Sequence, residues 1–278
     1  MAYILNSWKK QIRNFGKLII AISIYVILSL IIILFANVAT AEKPIKMGYF
    51  FLPPHHYIDS DSSKPIGSGI NLFETLASKM GSTVKWVGPF PIVRLFRKIE
   101  SGEIDGTISI PKFDELMKNL YFTKKQIFNA KPILIVRKET FPGKLNSVES
   151  IKGWQIGTLL SETDIYTPFI DENRNMITLH KLGNDNWAEL NLKKLLIGRL
   201  DAVFDRNQFT VPFIAATMKV DSQIKVLYIP DTPTPLYICF SKASKRGQIL
   251  TKKFDSALSQ LNFNYEQMAQ KEIDEISN

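Results

Sequence analysis

Two stretches of the sequence follow one plan, and that repetition limits the fold more than any other feature. Phe96-Arg97-Lys98-Ile99-Glu100-Ser101-Gly102-Glu103-Ile104-Asp105-Gly106 and Leu192-Lys193-Lys194-Leu195-Leu196-Ile197-Gly198-Arg199-Leu200-Asp201-Ala202 each place apolar residues at helical spacing ahead of a glycine, and an Ile/Leu-Asp step then opens a short apolar run. Glycine tolerates the left-handed conformation just past a helix end, so each stretch predicts a helix that stops and a strand that starts. The two glycines stand 96 residues apart. A unit used twice at that distance predicts two α/β lobes of similar build with a cleft between them, where small molecules bind.

The 278 residues hold one large or two modest domains, and 45% apolar content is enough to fill their cores. The N-terminus has a separate logic. Lys9, Lys10, Arg13 and Lys17 precede an uncharged apolar run from Leu18 to Ala36, and Ala39-Thr40-Ala41 supplies small residues for a signal peptidase. Residues 1–41 therefore read as an export signal cleaved after Ala41, or as an uncleaved inner-membrane anchor; in both cases residues 42 onward are expected in the periplasm. Removing four basic residues lowers the formal charge from +9 to +5. With lysines scattered among acids and no dense basic block, a nucleic-acid partner is not expected. The sole cysteine, Cys239, lies in the apolar run Leu236-Tyr237-Ile238-Cys239-Phe240 and reads as a buried hydrophobe. His55 and His56 are adjacent and His180 is remote, so neither a metal site nor a cofactor is expected.

The rest of the chain reads as alternating elements. Strands are expected near residues 44–50, 84–87, 107–110, 133–137, 154–158, 202–204, 224–228 and 236–241, and helices over 71–80, 94–100, 163–169 and 248–261, with Asn71 capping the first. Pro142-Gly143 lies in a stretch without apolar periodicity, so lobe 1 is assigned to 42–137 plus 236–278 and lobe 2 to 138–235.

In this order, the segments Pro53-Pro54-His55-His56-Tyr57, Gly67-Ser68-Gly69-Ile70-Asn71-Leu72, Ser101-Gly102-Glu103-Ile104-Asp105-Gly106, Tyr121-Phe122-Thr123, Ile151-Lys152-Gly153-Trp154-Gln155-Ile156-Gly157, Gly198-Arg199-Leu200-Asp201-Ala202-Val203-Phe204-Asp205 and Asn262-Phe263-Asn264-Tyr265 resemble the type II periplasmic solute-binding proteins, family 3, which serve ABC importers of polar amino acids. The resemblance implies an α/β, two-lobed periplasmic binding protein-like II fold: mostly parallel sheets, helices on both faces, and a hinge between the lobes. It implies a monomer that captures a small polar solute and presents it to an ABC importer membrane subunit or a sensor. An exported enzyme on the same scaffold, acting on cyclohexadienyl acids, and a membrane-anchored sensor or accessory domain are the alternatives. No catalytic residue is assigned.

The resemblance also supplies the ligand-binding candidates. Asp205 matches the aspartate that holds a ligand ammonium, His55 takes the place of a ligand-stacking phenylalanine, and Arg94 matches an arginine of a divergent branch. Tyr49 ends the first strand and Ser109 lies in the Ser/Thr strand of the first lobe. Two departures stand out. Asp114-Glu115 fall where an arginine should clamp the ligand carboxylate, and the second-lobe anion site reads Ser161-Glu162-Thr163, placing Glu162 before Thr163. A cationic or neutral polar ligand fits this balance better than an anionic one. Asp105 and Asp201, at matching places of the repeated unit, are expected to start strands rather than to form a catalytic pair.

Overall fold

The structure, a computed structural model, describes Gly16 and residues 22–27, 43–140, 151–160 and 166–277. The cleavage site, Glu162 and Thr163 lie outside the described residues. The chain divides into two units, Met1–Lys43 and Pro44–Asn278. In the first, Gly16 and residues 22–27 are helical. Among the described residues no helix is long and apolar enough to cross a membrane.

The second unit is built around the repeated element. In its first copy, helix α2 (Ile92–Glu100) ends ahead of Gly102, φ +73°, and strand β5 (Gly106–Pro111) follows. In its second copy, α5 (Trp187–Leu196) ends ahead of Gly198, φ +78°, and β11 (Ala202–Asp205) follows. Both glycines hold the left-handed conformation that the sequence calls for. Each strand then takes the same place in its own sheet.

In the first sheet, β5 lies beside β1 (Ile45–Gly48), which pairs parallel with β4 (Val84–Val87); between them in the chain, β2 (Tyr57–Ile58) and β3 (Pro65–Ile66) form a separate antiparallel pair. On its other side β5 pairs antiparallel with β13 (Thr234–Ser241), which also carries β6 (Leu120–Phe122) and β7 (Phe128–Ala130). In the second sheet, β11 lies parallel to β9 (Gln155–Leu159), next to β10 (Thr178–Leu182), and antiparallel to β8 (Ile133–Arg137), which pairs with β12 (Ile224–Tyr228). Each sheet is thus a parallel trio with an antiparallel strand at its third member. Residues 133–137, assigned above to lobe 1, are hydrogen-bonded in the second sheet, so the chain passes from the first sheet to the second between Ala130 and Ile133.

Helices cover both faces of each sheet, as expected. On the first, α1 (Ser68–Lys79), α7 (Gly247–Gln260) and α8 (Tyr265–Ser277) enclose one core, where Phe73 of α1 stacks on Phe254 of α7 at 4.4 Å; α2 covers the other face through Leu95 and Ile99. On the second, α4 (Pro168–Glu172) lies on one face, and α5 with α6 (Thr210–Thr217) on the other. Burying a phenylalanine of this kind contributes about 2–3 kcal/mol. Cys239 is fully buried and unpaired, and burial pushes its thiol up to about 12.

Two local expectations change. Asn71 does not cap α1; the helix starts three residues earlier, and the carbonyls of Pro54 and His55 accept the N–H groups of Ser68 and Gly69. A Cβ on Gly67 would come within 2.6 Å of both carbonyl oxygens, so glycine lets the Pro-Pro-His loop seat on the helix start. The chain also does not trail off after Leu261. Tyr265, Ala269 and Ile273 recur every four residues and form the buried face of α8.

Candidate functional site

Parallel strands in open α/β sheets present their ligand sites at their carboxyl ends. The repeated unit brings Ser109 of β5 and Asp205 of β11 to the same position, since each stands three residues beyond the first residue of its strand. Both end with a buried oxygen that has no hydrogen-bond partner among the described residues, Ser109 Oγ and Asp205 Oδ2. Buried polar atoms are nearly always paired, and of the seven unpaired side-chain ones among the described residues these two stand at equivalent positions of the repeat, which makes them candidates for a further group.

The backbone around Ser109 is shaped for this. Tyr237 pairs with Ile110 and Cys239 with Thr107, so Ile238 alone opposes both Ile108 and Ser109. This bulge holds Ser109 at φ +62°, a conformation costly for a residue with a Cβ. Asp205 ends its strand at the approach to α6, and its Oδ1 accepts the N–H of Asn207 at 3.2 Å. Burial drives the Asp205 carboxyl up to about 7, against the pull of the N–H groups of Asn207, Arg206 and Val211 and the Arg206 charge.

The structure separates the remaining candidates. Arg94 is exposed in the first turn of α2, its guanidinium 5.7 Å from the centre of the Phe90 ring. Tyr49 is buried beside Trp86 and His56 and belongs to the scaffold; burial raises its pKa. Asp114 and Glu115 are exposed in the first turn of α3 (Asp114–Asn119), where a helix N-terminus favours carboxylates. Asp105 and Asp201 hold strand starts: each accepts a backbone N–H, of Lys46 and Gln155 respectively, at 2.8 Å.

His55 corrects the expectation of a ligand-stacking ring. It is 0% exposed, near-parallel to the rings of Phe128 and Tyr265 at 4.9 and 5.6 Å, with Phe209 edge-on at 5.7 Å. Its apolar neighbours leave no face for a ligand. Instead the imidazole joins the two sheets' elements. Asn207 Oδ1 accepts the N–H of Phe209 at 3.1 Å, which orients the amide so that Nδ2 donates to His55 Nε2 at 2.7 Å and to Thr210 Oγ1 at 3.1 Å. His55 Nδ1 then carries the proton and donates to the Tyr265 hydroxyl at 2.8 Å, which also accepts from Ser68 Oγ at 3.2 Å. Burial and the neighbouring His56 lower the His55 pKa to about 3, despite the Asn207 bond, and burial lowers His56 to about 4. Burial raises the Tyr265 phenol, opposed by the hydroxyls of Ser68 and Ser109; the latter stands beside the phenolic oxygen although its Oγ makes no formed bond.

Asn207, Tyr265 and Ser68 are parts of this arrangement that sequence reasoning missed. Tyr265 is signalled by the resemblance segment Asn262-Phe263-Asn264-Tyr265 and by the four-residue apolar repeat of α8, neither of which points to His55; nothing in the sequence pairs Asn207 with His55. Helix α6 joins the halves as well: Val211 and Ala215 pack into the second sheet's core, and Phe213 and Ala216 into the first's. At the crossing between the sheets, Gln208 Oε1 accepts the Lys131 N–H at 2.8 Å.

Two mixed sheets of like strand order, one built from a segment inserted between the strands of the other, with candidate ligand groups on their repeated strands, define a two-lobed periplasmic binding protein fold. The chain belongs to the bacterial extracellular solute-binding proteins, family 3, whose family model matches residues 47–278. Among solved structures it is similar to an amino acid ABC transporter substrate-binding protein, AbpA, from Streptococcus pneumoniae bound to L-arginine, at 17% identity over 87% of this chain and 99% of that one, TM-score 0.66. An ancestral amino-acid-binding protein described as a precursor of cyclohexadienyl dehydratase matches at 17% identity over 84% and 95%, TM-score 0.62. The VFT2 domain of BvgS from Bordetella pertussis, a double mutant, matches at 14% identity over 83% and 92%, TM-score 0.63. A comparison with curated proteins finds no match.

Proposed function

We propose that this protein captures a small solute bearing a cationic or strongly hydrogen-donating group between its two lobes and presents it to an importer or a sensor. One observation carries the reading: Asp205 Oδ2 is buried at a strand's carboxyl end, with no donor at bonding distance among the described residues. A ligand ammonium or guanidinium would supply that donor and recover the cost of burying the carboxylate. The orphaned Ser109 hydroxyl at the matching position offers the second contact, from the other lobe. Contacts made from both sides exist only when the lobes are closed, so a ligand that makes them shifts the population toward closure, and a partner reads the closed shape. The similarity to an L-arginine-bound protein supports a cationic ligand. The basic flank, apolar run and Ala39-Thr40-Ala41 support export to the periplasm.

A thermal-shift and calorimetric panel of agmatine, putrescine, L-arginine, L-glutamate and maltose tests the reading. Ligand at 100 times its Kd adds about 2.7 kcal/mol of stability. The cationic members are expected to stabilise the protein and Asp205→Asn to weaken them by roughly 1.5–3 kcal/mol. Stabilisation by glutamate or maltose alone, or unchanged affinity in Asp205→Asn, would sink the proposal.

A further inference from the structure

We propose that His55 is a positioning residue for the ligand site: from within the first lobe it holds the Asp205 turn of the second lobe, so affinity depends on an imidazole that the ligand does not touch. The inference rests on the reading of Asp205 as the ligand's anchor. It starts from an oddity of composition. His55 sits among Phe128, Phe209 and Tyr265, a setting that a phenylalanine would fill without polar atoms to satisfy. Both imidazole nitrogens are nonetheless bonded, at 2.7 Å to Asn207 on one side and 2.8 Å to Tyr265 on the other.

Those two bonds complete a continuous path. Asp205 Oδ1 is held by the Asn207 N–H, the Asn207 side chain by His55 and Thr210, and His55 by Tyr265 at the start of α8. Tyr265 in turn neighbours Ser109, the position equivalent to Asp205 in the repeated unit. The path therefore runs from the Asp205 turn to the Tyr265 hydroxyl, beside the unbonded Ser109 Oγ. The His55 end is fixed in the first lobe, because its own carbonyl accepts the Gly69 N–H at 2.8 Å in the first turn of α1. Buried, fully bonded polar chains of this kind select one arrangement among the several that apolar packing alone would tolerate. Here the arrangement selected is the placement of the Asp205 carboxylate relative to Ser109.

The test uses the full chain with His55→Phe, which keeps the ring packing and removes both bonds, and His55→Gln, which restores an acceptor and a donor. Agmatine binding is measured by calorimetry. Separately, the ligand-free distance between spin labels at Ser78→Cys and Arg199→Cys is measured by pulsed electron resonance, the buried Cys239 remaining unlabelled. The expected result is an agmatine affinity about tenfold weaker in His55→Phe, within threefold of wild type in His55→Gln, and a distance distribution broadened only in the former. If His55→Phe does not fold, Asn207→Ala, which leaves the aromatic cluster whole, takes its place with the same expectation. A purely structural role would lower the melting temperature and leave affinity and distances as they are, and that outcome overturns the proposal. Absence of agmatine binding in wild type would refute the reading of Asp205; the distance measurement then decides the role of His55 by itself.

Discussion

Asp105 and Lys46 hold each other by two hydrogen bonds across neighbouring strands: the Lys46 N–H donates to Asp105 Oδ2 at 2.8 Å, and the Asp105 N–H donates to the Lys46 carbonyl at 2.7 Å. Asp201 and Gln155 repeat the arrangement in the second sheet, at 2.8 and 2.9 Å. The aspartate that follows each helix thus sets the register of the parallel pair. Only Asp105 is further bonded by Ser244 and Arg246.

That asymmetry predicts unequal costs. Asp105→Ala should destabilise the fold by about 3 kcal/mol and Asp201→Ala by about 1.5 kcal/mol, because hydrogen bonds to charged groups contribute roughly 1.5–3 kcal/mol each. Burial works to raise the Asp105 pKa, but Arg246, the Lys46 N–H and Ser244 outweigh it and hold the carboxyl below its ordinary value. Its contribution is therefore present above the ordinary carboxylate pKa and lost as pH falls through the folded one. Urea unfolding of the two variants checks the ranking; equal losses would show that Arg246 and Ser244 add nothing.

As the proposed ligand anchor, Asp205 should make affinity pH-dependent. With its carboxyl raised to about 7, the free protein must give up a proton to accept a cation at mildly acidic pH. Affinity for agmatine should fall as pH drops below about 7, approaching tenfold per unit, and level off above it. Stability of the ligand-free protein runs the other way: the contribution of the raised pKa is present below the ordinary carboxylate value and is lost as pH rises through about 7. Calorimetry from pH 5.5 to 8.5 reads the first effect, and a flat profile in wild type would remove Asp205 from the ligand's contacts.

The resemblance implies that acids replace the carboxylate clamp, and this predicts a preference between two ligands that differ by one group. Agmatine should bind more tightly than L-arginine, since acids stand at Asp114 and Glu115 and a buried α-carboxylate without a partner is costly. Arg94, exposed on α2, is the cation that the family resemblance offers to reverse the order. Tighter binding of L-arginine, lost in Arg94→Ala, would place the clamp on α2.

The buried histidines predict loss of stability in acid. Their folded pKa values, about 3 for His55 and about 4 for His56, lie below the ordinary 6.5, so their contribution is present above 6.5 and is lost as pH falls toward those values. Each can remove up to about 1.4 kcal/mol per pH unit in that window. In His55→Phe the slope of unfolding free energy against pH between 6 and 4 should be shallower than in wild type; an identical slope would mean that His55 stays charged or solvated in the folded protein.

What the sequence discloses is what local chemistry dictates. Gly102 and Gly198 can be read as helix stops, and Asp105 and Asp201 as strand starts, because both roles depend on residues nearby in the chain. Asp205 is singled out only through the family resemblance, because its segment Gly198-Arg199-Leu200-Asp201-Ala202-Val203-Phe204-Asp205 keeps the family's order of residues. The part played by His55 cannot, since it depends on Asn207 and Tyr265, which lie 152 and 210 residues away. Sheet membership is hidden for the same reason: nothing within Ile133–Arg137 says which neighbours it will take, and its pairing with β11 and β12 emerges only in three dimensions.

The passage of the chain between the sheets bears on how the protein matures. All five strands of the second sheet lie between residues 133 and 228, an uninterrupted segment, whereas the first sheet waits for β13 to fill the gap between β5 and β6. A chain emerging from its N-terminal end can therefore finish its second lobe while the first still shows an open strand edge, and α7 and α8 reach the first lobe's core only afterwards. If the chain is exported N-terminus first, as its leader implies, the first lobe is expected to become native last, and a chaperone that shields β-strand edges would find its substrate there.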